Sequence, residues 1–168
     1  MIFMSQSGLA DTSREADWDA WYLEHLRIMY TVEGVRSTQR CKCLTPGHPP
    51  SLALYTVTSS DVFRDPYYLS VRGMGDWLPL IDRQWYRRNL FEGAARAPEV
   101  PADSLLLVAD RDAPARDACG MALTWLRSVG LDGSTPYRGI AVVSASAPPI
   151  APPGGALYRP VTAYQAKD

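Results

Sequence analysis

Between residues 15 and 34, Trp18, Tyr22, His25, Leu26 and Met29 recur at intervals of three and four and so share one helical face. Asp17, Asp19, Glu24 and Arg27 fall largely outside that stripe. The pattern predicts a first helix that begins near Ser13, after the capping-box spacing of Thr12 and Glu15, and ends at Gly34. A short strand, IFMSQS, precedes it. The period then changes to two: VRSTQRCKC and SLALYTVT read as the strands of a hairpin, parted by LTPGHPP, whose prolines and glycine can continue neither. Residues 59–73 read as a short helix interrupted near Pro66, and residues 74–103 as an aromatic, arginine-rich connector that is partly helical and ends in the linker RAPEVPAD.

After the linker the order starts again. SLLLVAD predicts a strand, and Asp112 with Pro114 opens a second helix whose stripe runs through Ala118, Met121, Ala122, Trp125, Leu126 and Val129 to Gly130. YRGIAVVSAS and ALYRPVTAYQAK supply two more strands around APPIAPPGG. The chain of 168 residues then reads as one domain with a first βαββ repeat over 1–73, the connector over 74–103 and a second βαββ repeat over 104–168. A βαββ unit covers only one face of its sheet, so two such units packed sheet to sheet would cover each other. The fold class expected is α+β, a barrel of two fused repeats, against the alternative of an ordinary α+β sandwich whose halves share an order by coincidence.

Charge and cysteine content narrow the function classes. Seventeen Lys and Arg against 18 Asp and Glu leave a net charge of -1, which offers no basic footprint for nucleic acid. A small molecule is the expected partner. Cys41, Cys43 and Cys119 are an odd set without a secretory leader, which points to reduced thiols in the cytoplasm. No segment has the 18 or so apolar residues of a membrane span. Neither a dinucleotide loop, a Walker loop nor a GxSxG elbow is present, and the CxC pair lacks the further ligands of a zinc site, so no cofactor and no metal is expected.

WYLEHLRIMYTVEGVRSTQR followed by LALYTV resembles the EthD-like members of the dimeric α+β barrel superfamily, in which a Trp-Tyr-x-Glu-His helix leads through a Val-x-Gly turn into a strand. The resemblance spans roughly residues 2–62. It implies a ferredoxin-like dimeric α+β barrel, here as a single-chain pair that is a monomer or homodimer. It also implies a reaction drawn from a wide set that includes cyclases, isomerases, decarboxylases and haem-degrading enzymes, so fold alone does not choose among them. The chain departs from the pattern at Arg27 and Glu33, where prolines are common, and its second half has no equivalent histidine.

His25 leads the candidates for chemistry because imidazole moves protons near neutral pH. Its other reading is a core-edge histidine bonded to a carbonyl. Tyr22, three residues earlier, shares its face and can pair with it. In the connector, Trp77, Asp82, Arg83, Trp85, Tyr86, Arg87 and Arg88 form a second cluster, in which Trp77, Trp85 and Tyr86 offer an aromatic wall and Arg83 or Arg87 a guanidinium for a carboxylate or phenolate, unless the arginines are simply solvated. On the first hairpin Arg36, Thr38, Arg40 and Lys42 share one face, which makes Arg36 an anion anchor if that face looks inward, and Tyr55 lines the same cavity or the core. These residues suit a cofactor-independent lyase, isomerase or cyclase acting on a small aromatic or enolisable carbonyl compound in the barrel interior. Here His25 is the acid or base and Arg83 or Arg36 stabilises negative oxygen. The competing class is an accessory protein that binds a small molecule, or haem through His25, without converting it.

Overall fold

The computed structural model of the chain describes residues 1–115 and 121–167. Within them nine strands form one antiparallel sheet, and eight close into a ring. The strands are β1 (Ile2–Ser7), β2 (Val35–Cys43), β3 (Ser51–Val57), β4 (Arg87–Glu92), β5 (Ser104–Arg111), β6 (Thr124–Leu131), β7 (Tyr137–Ser144), β8 (Gly155–Pro160) and β9 (Gln165–Ala166). Around the barrel the order is β3-β1-β4-β6-β7-β5-β8-β2, and the β2–β3 pairing closes it, while β9 extends the β8 edge of β2.

Helix α1 (Glu15–Thr31) lies outside the barrel and buries Trp18, Tyr22, Leu26 and Met29, the stripe anticipated from spacing. Burying each such side chain is worth about 1.5–3 kcal/mol. The helix starts later than its capping box suggests, because Asp11 accepts from the Ser13 N–H and a 3-10 turn over Thr12–Arg14 intervenes. At its other end Gly34 has φ +83°, and a Cβ there would lie 2.5 Å from Val62 Cγ2 and 2.8 Å from Thr58 Oγ1. Only glycine fits that turn into β2. A 3-10 turn (Ser60–Arg64), α2 (Pro66–Val71) and a further 3-10 turn (Gly75–Leu80) follow β3 on the same outer side.

The expected fold class, an α+β ferredoxin-like barrel of two βαββ repeats packed sheet to sheet, is corrected by three findings. The molecule is mostly strand. Its two sets of strands, β2-β3-β1-β4 and β6-β7-β5-β8, match in pairing order but join edge to edge through β4–β6 and β2–β8 hydrogen bonds, so there is one closed sheet and not two facing ones. The second half carries no helix among the described residues. Of the stripe read as a second helix, Trp125, Leu126 and Val129 lie in strand β6, where Leu126 points into the core while β4 and β7 supply main-chain partners on both sides. Thr124, Trp125 and Val129 favour a strand once those partners exist, and tertiary pairing overrides a spacing of three and four. Ala118 and Cys119, also named in the sequence analysis, lie outside the described residues. APPIAPPGG does not close a hairpin either, since β5 sits between β7 and β8.

Alternation along the staves sorts side chains into two cores. Ile2, Met4, Leu52, Leu54, Phe91, Leu106, Leu126, Ile140 and Tyr158 fill the lumen. Phe3, Ala53, Tyr55, Val57 and Leu90 face outward beneath α1 and the turns. An eight-stranded barrel is narrow enough for its interior to be filled by such side chains. One end of the lumen is plugged by the chain after β4: Ala97 and Val100 are buried, the Ala97 N–H donates to Thr56 Oγ1 (2.9 Å), and the Gln39 amide exchanges hydrogen bonds with both main-chain groups of Val100 (2.8 and 2.9 Å). No helix of the described residues is long and apolar enough to cross a membrane.

Candidate functional site

The residues that the sequence singled out do not meet in the barrel interior. They divide between two places, because successive side chains of a strand point to opposite faces. Tyr86 and Arg88, at the entry to β4, lie on the helix side of the wall, whereas Trp85 and Arg87 face the open end of the lumen.

On the helix side, α1 contributes His25 and Met29, β1 Phe3, β3 Tyr55, α2 Tyr68, the turn after it Arg72, Gly73 and Met74, and β4 Arg88, with Tyr86 just before it. Together they line a cavity of about 30 Å³, room for water-sized groups only. It shares Arg72, Gly73, Met74, Tyr86 and Arg88 with an open groove of about 460 Å³ that Leu69 and Leu78 border. The His25 ring stacks on Trp21 at 4.8 Å and 10°, and meets Tyr22 edge-on at 5.9 Å. Burial pushes its pKa down to about 4, so the imidazole is neutral at pH 7. Burial also raises Tyr55, Tyr68 and Tyr86, which stay protonated phenols. Arg88 donates from Nη2 to Asp132 (3.3 Å), while its Nε is buried with no acceptor among the described residues. A buried guanidinium donor without a partner is costly, and an anionic or carbonyl oxygen would satisfy it.

The other candidates occupy different surroundings. Tyr22 is 1% exposed and sealed below the Arg40 guanidinium, 4.2 Å from its ring. Arg40 itself is buried against Trp18, donates to Ser51 Oγ and pairs with Asp19 at 2.8 Å. Trp77 packs beside Trp21 at 6.4 Å and lies under Arg14, outside the cavity. Arg83 is exposed, and its carbonyl accepts from Arg87 Nη1. Arg36 is exposed near Arg96 and Lys167. It sits at the β-bulge between Val35 and Ser37, and the face from Thr38 to Lys42 with which it was read looks outward, since Arg40 packs under α1. Cys41 is fully buried in the lumen, its thiol pushed up to about 12 by burial, and Cys43 donates to the Thr45 carbonyl. Among the described residues no three His, Cys, Asp or Glu side chains are grouped to hold a metal ion.

The residues that sequence reasoning missed are Tyr68 and Arg72, while Arg88 is counted in the connector's cluster but given no role. Arg88 was within reach of it: reading RRNLFE as a strand would have set Tyr86 with Arg88 and Trp85 with Arg87. Tyr68 and Arg72 carry no such signal, since α2 alone does not tell which face meets α1. No protein-family model matches the chain, and no curated protein sequence matches it. The EthD-like resemblance thus stays with the residues that carry it.

Proposed function

We propose that the cavity between α1, α2 and the outer wall is an acid–base site for a small enolisable carbonyl or phenolic compound, and that the protein is a cofactor-independent isomerase, lyase or cyclase. The observation that carries the reading is that Arg88, whose Nε has no acceptor among the described residues, lines the same cavity as a neutral His25. The body of the substrate lies in the groove beside Leu69 and Leu78, and only its reacting end enters the cavity. His25 takes a proton from the carbon next to the carbonyl, the electron pair moves to oxygen, and Arg88 receives the oxyanion. Return of the proton to another atom completes an isomerisation. The phenols of Tyr55, Tyr68 and Tyr86 serve as hydrogen-bond donors, and Phe3, Met29 and Met74 keep bulk water out. The EthD-like resemblance supports the same histidine.

The test is exchange of substrate α-protons for deuterium, followed by NMR over a panel of small aryl ketones and β-keto acids. The wild-type protein accelerates exchange of at least one member. His25→Gln lowers that rate by about 100-fold or more, the usual weight of a positioned base, and Arg88→Gln lowers it comparably. Exchange unchanged in His25→Gln would dismiss the proposal.

A further inference from the structure

The barrel has a second open feature on the opposite face of β4. With one end of the lumen plugged by the segment around Ala97 and Val100, the other opens into a cavity of about 220 Å³ lined by Gln6, Trp85, Arg87, Asp110 and Tyr158 among others. Its floor is built around Arg138, which is 0% exposed. Arg138 donates from Nε and Nη2 to the two oxygens of Asp110 (2.7 and 2.8 Å) and from Nη2 to Gln6 Oε1 (2.9 Å), and it lies against the Phe91 ring at 5.2 Å. A lumen filled only for stability is served as well or better by apolar side chains. What Arg138 does is hold the Asp110 carboxylate in a fixed orientation, with that side chain still 40% exposed. Each Asp110 oxygen keeps a lone pair for a donor in the cavity.

Arg87 stands across the mouth on β4, with β6 and β7 between it and β5. Among the described residues its guanidinium donates only to the main-chain carbonyls of Arg83 and Tyr86, so its charge is available to an anion. Trp85 supplies a flat apolar wall beside it, seated on Gly8. A Cβ at Gly8 would come within 3.2 Å of the indole and 2.8 Å of Pro50.

We propose that this mouth binds a small aromatic acid bearing an amino or hydroxyl group, its carboxylate on Arg87, its ring against Trp85 and its donor on Asp110. Cation, flat wall and fixed acceptor lie around one cavity, and the ligand presents the complementary groups in the same order. This site does not depend on His25 or Arg88, which lie on the other side of the wall.

Titration of isotope-labelled protein with 4-aminobenzoate and with benzoate, followed by NMR, tests it. The expected result is saturable shifts confined to residues around Gln6, Trp85, Arg87 and Asp110. Benzoate binds about tenfold more weakly for want of the donor, and Arg87→Gln costs 4-aminobenzoate about tenfold or more. His25→Gln and Arg88→Gln bind as the wild type does. Because Asp110→Asn would leave Arg138 buried without its counter-charge, the comparison of the two acids reports on Asp110 without mutating it. Absence of saturable shifts with either acid, Arg87→Gln binding equal to wild type, or shifts that vanish in Arg88→Gln would each overturn the proposal.

Discussion

A histidine between an indole and a barrel wall has a simple energetic signature. Because burial lowers the His25 pKa to about 4 from the ordinary 6.5, the folded protein holds fewer protons than the unfolded chain between those values. The contribution to stability is complete above about pH 6.5 and is lost as pH falls toward 4, an effect of about 3 kcal/mol. Urea unfolding at pH 7 and 4.5 should show the wild type losing about 2–3 kcal/mol more than His25→Gln over that interval. Equal losses would place the imidazole in water. Asp19 supplies a contrasting case. Burial works against its ionisation, but hydrogen bonds from Lys42 and Arg40 prevail and hold the carboxyl below the usual carboxylate range. Asp19→Ala leaves the Arg40 guanidinium buried with Ser51 as its one side-chain acceptor among the described residues, and denaturation should show a loss of about 3 kcal/mol.

At the scale of elements, what was legible in the sequence is what local chemistry decides. The α1 stripe, Gly34 and the two strands VRSTQRCKC and SLALYTV stand where their periods and breakers place them, because amphipathic spacing and a positive φ are properties of the chain itself. Gly34→Ala sets a Cβ against Val62 and Thr58 in a left-handed turn, and thermal unfolding should register a loss of about 2–3 kcal/mol. A variant as stable as wild type would mean that the turn relaxes freely. Strands β6 and β4 were not legible for the opposite reason. Trp125, Leu126 and Val129 satisfy a helical spacing as well as a strand, and the edges of β4 and β7 decide between them. Misreading β4 as connector also merged Trp85, Tyr86, Arg87 and Arg88 into one cluster. Strand geometry gives the odd pair to the lumen mouth and the even pair to the helix side.

For the whole molecule, closure of the sheet explains why both proposed sites lie at its margins. The lumen is packed, and the mouth meets that packing at Val108, Ala156 and Tyr158. The plug at the other end depends on few polar contacts. Gln39→Leu would strip both main-chain groups of Val100 of their side-chain partner inside the barrel. It should cost about 2–4 kcal/mol by urea titration with the unfolding slope unchanged. The helix-side site rests on a more local claim, that the base it contains is uncharged where the protein works. An NMR titration of the His25 ring nitrogens from pH 3 to 8 tests that claim most directly. An imidazole enclosed by the cavity titrates with a midpoint near 4. A midpoint at 6.5 or above would mean that water reaches His25 freely, and the enclosed site built around it would fall.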